Sequence, residues 1–483
     1  MKSFWSGNFR KKRQMNDETK KGKPKTKGCL LMTKELTHGK PLPLILQFAF
    51  PLILGYMLQQ LYSLCDTVIV GRCLGVNELA AVGSTGAVSF LVVGFATGMC
   101  TGMSIPVAQA FGAGDYQKLR KYLANSFYLS ALISIVMTVG TIIFTGDLLR
   151  LMKTPEELYD FAYDYIFTVF AGISATILYN LLSSMLRSIG DSRTPLIFLA
   201  IAAALNIGLD FLFILGFHTG VAGAGYASVL SQGISGILCL IYMFKKYEIF
   251  RIRKEEWKLS LSCCGRLVSI GLPMALQFSI TAIGSIILQT AVNTLGTVSV
   301  TAVTAASKLQ MILTGPMECL GITMATYCGQ NRGAREFERI RSGIRTSVVV
   351  SMIYCVVSAV IIIVLGGWMA LLFLDASETE VMAQVKEYLR LNAYFYPTLG
   401  LLFILRNGLQ GMSYSFLPMM AGVTELIARV LVCVAFVPDF GYTAACMASP
   451  VAWIFADTLL VTVYFVKMKS LKVQLAQPAP AAC

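Results

Sequence analysis

Long apolar stretches recur along almost the whole chain and are separated by short polar segments. Each stretch has about 20 residues, enough for an α-helix to cross roughly 30 Å of hydrocarbon, whereas a β-barrel would show shorter segments of alternating character. The pattern predicts an all-α integral membrane protein. Its twelve predicted transmembrane helices lie at 44–71, 84–106, 122–146, 161–183, 195–216, 222–244, 265–291, 300–325, 346–368, 384–405, 417–437 and 443–466.

Composition agrees with this pattern, because 56% of the residues are hydrophobic, 14% are charged and the mean hydropathy is +0.67. The formal net charge of +14 does not indicate a nucleic-acid partner, since the basic residues are confined to the tails and to alternate loops. These basic segments are 10–27, 115–121, 187–193, 245–254, 331–341 and 467–472. By the positive-inside rule both termini are cytoplasmic, with Arg150 and Lys153 as a mild exception. The pattern fits a plasma membrane, most simply a bacterial inner membrane.

The two ends of the chain are predicted to be tails. Residues 1–40 are polar and rich in lysine, which predicts a disordered cytoplasmic segment rather than a signal peptide or a folded domain. The chain from Met32 onward would contain every predicted span, so Met32 is an alternative start. Residues 471–483 form the C-terminal tail. The 13 cysteines are scattered, and we interpret them as small apolar residues rather than disulfide or metal ligands.

The sequence contains an internal repeat. A shift of 221 positions aligns eleven identical residues within a window of 53, among them "QAFGA" (109–113) with "QNRGA" (330–334), and a shift of 223 aligns Pro195 with Pro418. Each repeat has six spans, so both repeats have the same orientation and are related by an axis along the membrane normal. Such a two-lobed protein can hold a cavity that faces either side in turn. The predicted parts are an N-lobe at 41–244, a linker at 245–264 and a C-lobe at 265–470.

Asp66 is the most informative polar residue, because a carboxylate within a span costs about 2.5–3.5 kcal/mol and therefore needs a reason. Counting from helix ends places it at the same depth as Asp210 in span 5 and Ser228 in span 6. Tyr62 and Asn206 each lie one turn before an aspartate. Two neighbouring carboxylates cannot both ionise cheaply, so one should hold a proton or a cation. The alternative is that Asp66 hydrogen-bonds a backbone group at the water interface.

The oxygen-rich ligands of this group suit Na⁺ or H⁺ and not a transition metal, so we expect no other metal and no cofactor. The second lobe does not repeat the group. Arg429 and Cys433 stand at the corresponding positions, Glu425 precedes Arg429 by one turn, and Asp457 lies at a similar depth in span 12. We interpret Glu425, Arg429 and Asp457 as a buried ion pair or triad that holds helices in register. A role in substrate binding or coupling is the alternative.

The chemistry of an enzyme is missing from the spans. The two histidines lie outside them, and the sequence has no phosphate-binding loop of the kind that ATPases use, so uphill transport would need an ion gradient. The loop motifs "GAGD" (112–115), "RSIGDSRTP" (187–195) and "GQNRGA" (329–334) are interpreted as hinges and anchors.

Five motifs occur in a specific order: "DTVIVGRCLG", "AQAFGAGD" with its partner "GQNRGA", "LRSIGDSRTP", "NIGLDFLFI" and "GVAGAGYASVLSQ". Their combination resembles the multidrug and toxic compound extrusion (MATE) transporters, over residues 41 to 472. The resemblance implies two V-shaped lobes and antiport of organic compounds against Na⁺ or H⁺. The family's first-lobe cation site falls on Asp66, Asn206 and Asp210, with Tyr62, Asn180 and Ser228 at supporting positions. Some members use a glutamate in span 7, and span 7 of this chain has no acidic residue, which favours coupling in the first lobe.

We therefore expect a monomeric, H⁺- or Na⁺-coupled antiporter that exports amphipathic, often cationic, drugs and toxic compounds, and not an enzyme. The alternative is a flippase for an anionic lipid-linked precursor in the same superfamily. Asp66 and Asp210 disfavour that alternative, while Arg429 favours it.

Overall fold

The computed structural model of the protein describes residues 35–152, 154–371, 374 and 377–476. The predicted tail residues 1–34, with the alternative start Met32, and residues 477–483 lie outside these ranges. The fourteen α-helices of the described chain are α1 (Pro41–Cys73), α2 (Val76–Gly112), α3 (Tyr116–Leu151), α4 (Glu156–Ala171), α5 (Ile173–Ser188), α6 (Arg193–Phe211), α7 (Val221–Lys246), α8 (Leu261–Asn293), α9 (Thr297–Gly333), α10 (Phe337–Ala370), α11 (Thr379–Tyr394), α12 (Tyr396–Gly411), α13 (Phe416–Leu431) and α14 (Val437–Ala476).

Eight stretches of the described chain are long and apolar enough to cross a membrane. One of them, Phe416–Val473, contains two crossings, because Gly441 has φ 57° and ψ −133° and interrupts the helix near the start of α14. The bent pair of α4 and α5 adds a crossing. Two more come from α9 and from the pair of α11 and α12, which contain more polar residues. The prediction of an all-α membrane protein with twelve spans is confirmed.

The helices differ from the predicted spans in two respects. Most of them are longer: α2 covers Val76–Gly112 where hydropathy predicts 84–106, because backbone hydrogen bonding continues into the polar segments outside the hydrocarbon. The fourth span is also not one straight helix, since α4 and α5 meet at a bend of 47°. A side chain at Gly172, within the bend, would overlap Val229 of α7. The glycine thus allows α7 to pack closely at this point.

The two halves of the chain contain matching helices. α1 and α8 have 33 residues each, and α2 and α9 have 37 each. The paired helices α4, α5, α11 and α12 all have 16 residues. Both α6 and α13 run directly into a π turn, at Leu212–Gly216 and Val432–Phe436 respectively. This correspondence confirms the two six-helix repeats predicted from the shifted sequence.

The first helix of each half packs into the hydrophobic core of the other half. Ile45 and Phe48 of α1, with Leu36 just before that helix, belong to a core that is built mainly from α8 to α14. Leu267 and Ala275 of α8 belong to the core of α2, α3, α5, α6 and α7. These contacts join the halves at the end of the bundle where α1 and α8 begin. We call it the basic end, because the basic loops connect helices there.

α2 and α9 approach each other backbone to backbone at the basic end. A methyl group on Gly112 would overlap the carbonyl oxygen of Gln330, and one on Gly333 would overlap the carbonyl oxygen of Gln109. Only glycine permits so close an approach on both sides. The two helices therefore meet without any side chain between them at these points.

Burial decreases from the basic end towards the opposite end, which we call the open end. Every residue of α9 from Thr323 to Asn331 is buried, whereas Thr301 and Thr304 near the start of the same helix are exposed. On α8, Ser285 and Gln289 are exposed at the same end. Polar faces of this kind are unfavourable against lipid. We therefore infer that they line a water-accessible cleft between the two halves at the open end.

Polar groups bind the linker between the halves to α3. Glu256 is buried, and its carboxylate accepts hydrogen bonds from Arg120 Nε (2.7 Å), Arg120 Nη2 (2.8 Å) and the Arg253 N–H (2.8 Å). The Ser260 N–H donates to Asn125 Oδ1 at 2.9 Å. The hydrogen bonds from Arg120 hold the pKa of Glu256 below its ordinary value.

We expect Arg120→Ala to lower the free energy of unfolding by about 3 kcal/mol at neutral pH, because the buried Glu256 carboxylate loses its charged partner. Since the folded-state pKa of Glu256 is depressed, the pair stabilises the protein above the unfolded-state pKa. This contribution disappears as the pH falls through the folded-state pKa. The difference in melting temperature between wild type and variant, measured in detergent, should therefore shrink in acid.

The matched control is the double variant Arg120→Ala/Glu256→Ala, which removes both charges. It should melt at a higher temperature than Arg120→Ala alone at neutral pH. Equal melting temperatures for wild type and Arg120→Ala would contradict the assignment of this pair as a stabilising contact.

Candidate functional site

Helices α1, α6 and α7 bring five polar side chains together towards the open end. The Tyr62 hydroxyl lies 3.0 Å from Ser228 Oγ, and Asn206 Nδ2 donates to the same oxygen at 3.3 Å. Asp66 and Asp210 lie one helical turn beyond Tyr62 and Asn206 on their respective helices. We call these five residues the carboxyl cluster. The equal depth inferred from residue counting thus corresponds to a real proximity of α1, α6 and α7.

The two carboxyl groups of the cluster are close enough to share a hydrogen bond. Such a bond requires that one of them carries a proton, because an ionised carboxylate has no donor. Asp210 and Asn206 are completely buried. With both carboxyls ionised, four buried oxygens have no donor among the described residues: Asp66 Oδ1, both oxygens of Asp210 and Asn206 Oδ1. Buried acceptors in this arrangement favour a proton or a small cation.

The local structure of α6 explains why its two polar side chains act together. Asn206 and Asp210 are four residues apart and therefore lie on one face. α6 ends one residue after Asp210 and continues as the π turn. Turns of this type are often found at functional sites. Apolar side chains from the end of α1, the π turn and α7 pack beside the cluster and fix the three helices.

One neighbour of the cluster was missed by sequence analysis. Tyr165 of α4 lies close enough to both aspartates to interact with them electrostatically. It lies in an aromatic stretch, and its spacing from other polar residues does not distinguish it from a core tyrosine. Only the packing of α4 places it beside the cluster. Asn180 is arranged differently, because its Nδ2 donates to the Thr176 carbonyl in its own helix at 2.9 Å. Within the described chain, no hydrogen bond joins Asn180 to the cluster.

The chemistry open to the cluster follows from its donor atoms. It offers carboxylate, amide and hydroxyl oxygens, which bind protons and hard cations such as Na⁺ and are poor ligands for soft metals. In the described ranges, no three His, Cys, Asp or Glu side chains converge as a metal site would require. The donor atoms of the cluster are therefore suited to a proton or to a hard monovalent cation.

The second half carries a different group of charges at a comparable position. Arg406 Nη2 donates to Glu425 Oε2 at 2.8 Å, and Arg429 Nη2 donates to Glu425 Oε1 at 3.1 Å. All three side chains are buried. Gly284 of α8 provides the space for the Arg429 guanidinium, since a Cβ there would overlap it. These residues join α12, α13 and α8.

The third member of this ion-pair group is Arg406, which sequence analysis did not select, rather than Asp457. Asp457 is buried nearby on α14, and neither of its carboxyl oxygens has a hydrogen-bond donor in the part of the chain that the structure describes. Arg406 gave no spacing signal, because its partner Glu425 lies on another helix. Hydropathy gave no sign either, because Arg406 lies one residue beyond the predicted span at 384–405.

The fold and the carboxyl cluster together define a membrane protein of two six-helix repeats with a group of carboxyl and amide side chains between the helices of one half. The MatE family matches residues 51–212 and 273–435, one match in each half. The chain belongs to this family, the MATE multidrug efflux transporters. The predicted family membership is confirmed.

Relatives agree with this assignment. A probable multidrug resistance protein of Bacillus subtilis, YpnP, is 32% identical over 377 residues, which are 78% of this chain and 83% of the relative. An FAD transporter of Shewanella oneidensis is 23% identical over 80% of this chain and 86% of its own length. A solved transporter of the MOP superfamily from Pyrococcus furiosus has the same fold, with a TM-score of 0.86, 22% identity and coverage of 93% of this chain and 100% of the other.

The closeness of the two carboxyl groups predicts that one of them is protonated in the resting protein. The infrared spectrum should contain its C=O stretching band at neutral pH, and the band should disappear in Asp66→Asn/Asp210→Asn. The control is Asp115→Asn, which removes an exposed carboxylate that caps the N-terminus of α3 and should leave the band unchanged. A spectrum without such a band in the wild type, with Na⁺ absent, would exclude proton sharing.

The ion-pair group predicts an unequal cost for its members. Glu425→Gln should lower the free energy of unfolding by about 3–5 kcal/mol, because two buried guanidinium groups lose their only shared carboxylate. Arg429→Leu should cost less, since Arg406 still pairs with Glu425. Chemical unfolding of the purified variants tests the order. A triple variant with Leu at all three positions should recover much of the loss, and a loss larger than that of Glu425→Gln would contradict the assignment.

Proposed function

We propose that the protein is a cation-coupled antiporter that exports amphipathic, often cationic, organic compounds by alternating access. The observation that carries this proposal is the pair of Asp66 and Asp210, whose carboxyl groups lie close together, with Asp210 completely buried and Asp66 half-buried. Two ionised carboxylates at this distance repel each other in a low-dielectric environment. A proton or a Na⁺ ion that binds there removes the repulsion.

Competition for this negative charge couples the two fluxes. A cationic compound in the cleft is attracted to ionised aspartates, whereas a bound proton or Na⁺ ion neutralises them and removes that attraction. The cation therefore displaces the compound at the open end, and the compound binds again after the cleft has opened to the basic end and the cation has left. Each ligand shifts the equilibrium by its difference in affinity for the two states.

The orientation follows from the charges of the loops. We place the basic end in the cytoplasm and the open end outside, with both termini cytoplasmic, in a bacterial inner membrane. An inward gradient then drives export. A single charge that crosses a potential of 100 mV supplies about 2.3 kcal/mol, or roughly a fiftyfold concentration ratio. We expect the monomer to be sufficient, because each chain has its own cleft and cluster.

A second candidate function is the export of an anionic compound. It is favoured by the Arg406 and Arg429 guanidinium groups, which share the single carboxylate of Glu425. The relative named FAD transporter suggests that an anionic, nucleotide-like cargo is compatible with this family. The carboxyl cluster argues for the cationic cargo, since it would repel an anion in the same cleft.

The test is transport by the purified protein in vesicles under an imposed H⁺ or Na⁺ gradient. We expect a fluorescent lipophilic cation to be moved against its gradient by one of the two ions, and the effective ion is the coupling ion. Asp66→Asn and Asp210→Asn should each reduce this transport at least tenfold, about 1.4 kcal/mol, because the cluster can no longer carry two negative charges. Asp115→Asn is the matched control and should transport as the wild type does.

Three outcomes decide between the candidates. Full gradient-driven transport by Asp66→Asn would exclude the cluster as the coupling site. Transport of FAD but not of the lipophilic cation, with the same vesicles, would replace the first candidate by the second. Transport of neither compound by correctly folded protein would contradict both.

A further inference from the structure

Two glutamines at the basic end hydrogen-bond across the boundary between the halves. Gln109, near the end of α2, donates through Nε2 to the Gly411 carbonyl oxygen at 2.9 Å and to Ser413 Oγ at 2.7 Å. Gln330, near the end of α9, donates through Nε2 to the Ser188 carbonyl oxygen at 2.8 Å. In each case the glutamine belongs to one half and the acceptor to the other.

The two bonds are equivalent by the internal repeat. Gln109 and Gln330 are 221 positions apart, which is the shift that aligns the first span pairs of the two halves. Their carbonyl acceptors, Ser188 and Gly411, are the last residues of α5 and α12. The final carbonyls of a helix have no partner in the helix itself. Each glutamine therefore donates to a backbone oxygen at the end of a helix in the opposite half, where that oxygen has no partner within its own helix.

The hydrogen bonds of Gln109 and Gln330 can form because glycines lie about one helical turn further along, at Gly112 and Gly333. The Gly112 and Gly333 contacts bring α2 and α9 together at backbone distance, and this separation places each glutamine amide within reach of the opposite half. If the halves moved apart at the basic end, both bonds and both glycine contacts would be lost together.

A third contact makes the arrangement asymmetric. The Leu36 N–H, just before α1, donates to Gln330 Oε1 at 2.9 Å. The side-chain amide of Gln330 therefore accepts one hydrogen bond through its oxygen and donates one through its nitrogen. Arg339 holds the same segment by donating to the carbonyl oxygens of Leu36 (3.0 Å) and Gly39 (2.8 Å). Leu36 is completely buried. The segment before α1 is thus bound beside the glutamine of the second half only.

We propose that Gln109 and Gln330 are the positioning residues of the gate at the basic end. Their two amide bonds close the cleft on that side, and both bonds break when the cleft opens to the basic end. The inference rests on the alternating-access function proposed above and names the contacts that this motion must exchange. After opening, the carbonyl oxygens of Ser188 and Gly411 become accessible to water, which replaces the glutamine amides.

Hydrogen–deuterium exchange of the purified protein in lipid nanodiscs tests the gate without any substrate. The backbone amides at the ends of α2 and α9 are protected while the gate is closed, so their exchange rate reports the population of the opened state. We expect Gln109→Ala and Gln330→Ala each to raise the exchange rate of peptides from the ends of α2 and α9 about tenfold, the effect of a buried hydrogen bond. The double variant should show about a hundredfold increase if the bonds act independently.

The matched control is Gln289→Ala, which removes a glutamine hydrogen bond to Asn293 within α8 at the open end. It should leave exchange at the basic end unchanged. Peptides from the open end should exchange at the wild-type rate in the gate variants, whereas a general loss of stability would raise exchange at both ends.

Gln109→Met and Gln330→Met separate the hydrogen bond from packing. Methionine keeps the length and most of the volume of glutamine but has no N–H donor. The proposal predicts that both variants exchange at the basic end as fast as the alanine variants. Wild-type exchange in the methionine variants, or in the double alanine variant, would overturn it.

Transport assays keep the two proposals distinct. Faster exchange at the basic end in the gate variants, without transport of the lipophilic cation by the wild type, would support the gate proposal and contradict the proposed cargo. Cation-driven transport by the wild type together with unchanged exchange in every gate variant would leave the cargo in place and contradict the gate.

Discussion

The backbone contact between α2 and α9 is the interaction on which the shape of the molecule depends. Gly112 and Gly333 bring these helices together at a point where any side chain would separate them. This contact lies at one end of the bundle, and the polar faces of α8 and α9 are exposed at the other end. The packing of α1 into the core of the second half, and of α8 into the core of the first half, also holds the halves together at this end. The cleft is therefore a consequence of where the halves touch.

A symmetric scaffold holds unequal chemistry. In the first half, two carboxyl groups and an amide lie together with too few donors for their oxygens, a state that a cation can stabilise. In the second half, Glu425 is already satisfied by two guanidinium groups, which fixes α12 against α13. Under the proposed function the first half exchanges a cation, while the second half resists change because breaking its ion pair would leave a buried charge without a partner.

Much of the fold could be predicted from the sequence, since apolar stretches, basic loops and the 221-residue shift each reflect a strong physical constraint. The grouping of Asp66, Asn206 and Asp210 was also accessible, because depth in a helix is proportional to residue number. The close packing of Val229 of α7 against Gly172 at the bend was not, because it is a contact between two helices. Arg406 and Tyr165 were missed for a similar reason: their partners lie on other helices, and hydropathy carries no information about which helices are neighbours. The roles of Asn180 and Asp457 remain predictions.

The position of the carboxyl cluster also determines how the membrane voltage acts on the protein. Asp66 lies seven residues before the end of α1, so about 10 Å of helix separates it from the open end. Where a cleft is filled with water and ions, the electric field is weak along it and is concentrated across the remaining protein. Under the proposed function the remaining barrier is the tightly packed basic end, so a cation that arrives from the open side reaches the aspartates after crossing little of the field. Most of the electrical work then belongs to the reorientation of the two halves around the bound charge, and the uptake of the cation itself depends on its concentration.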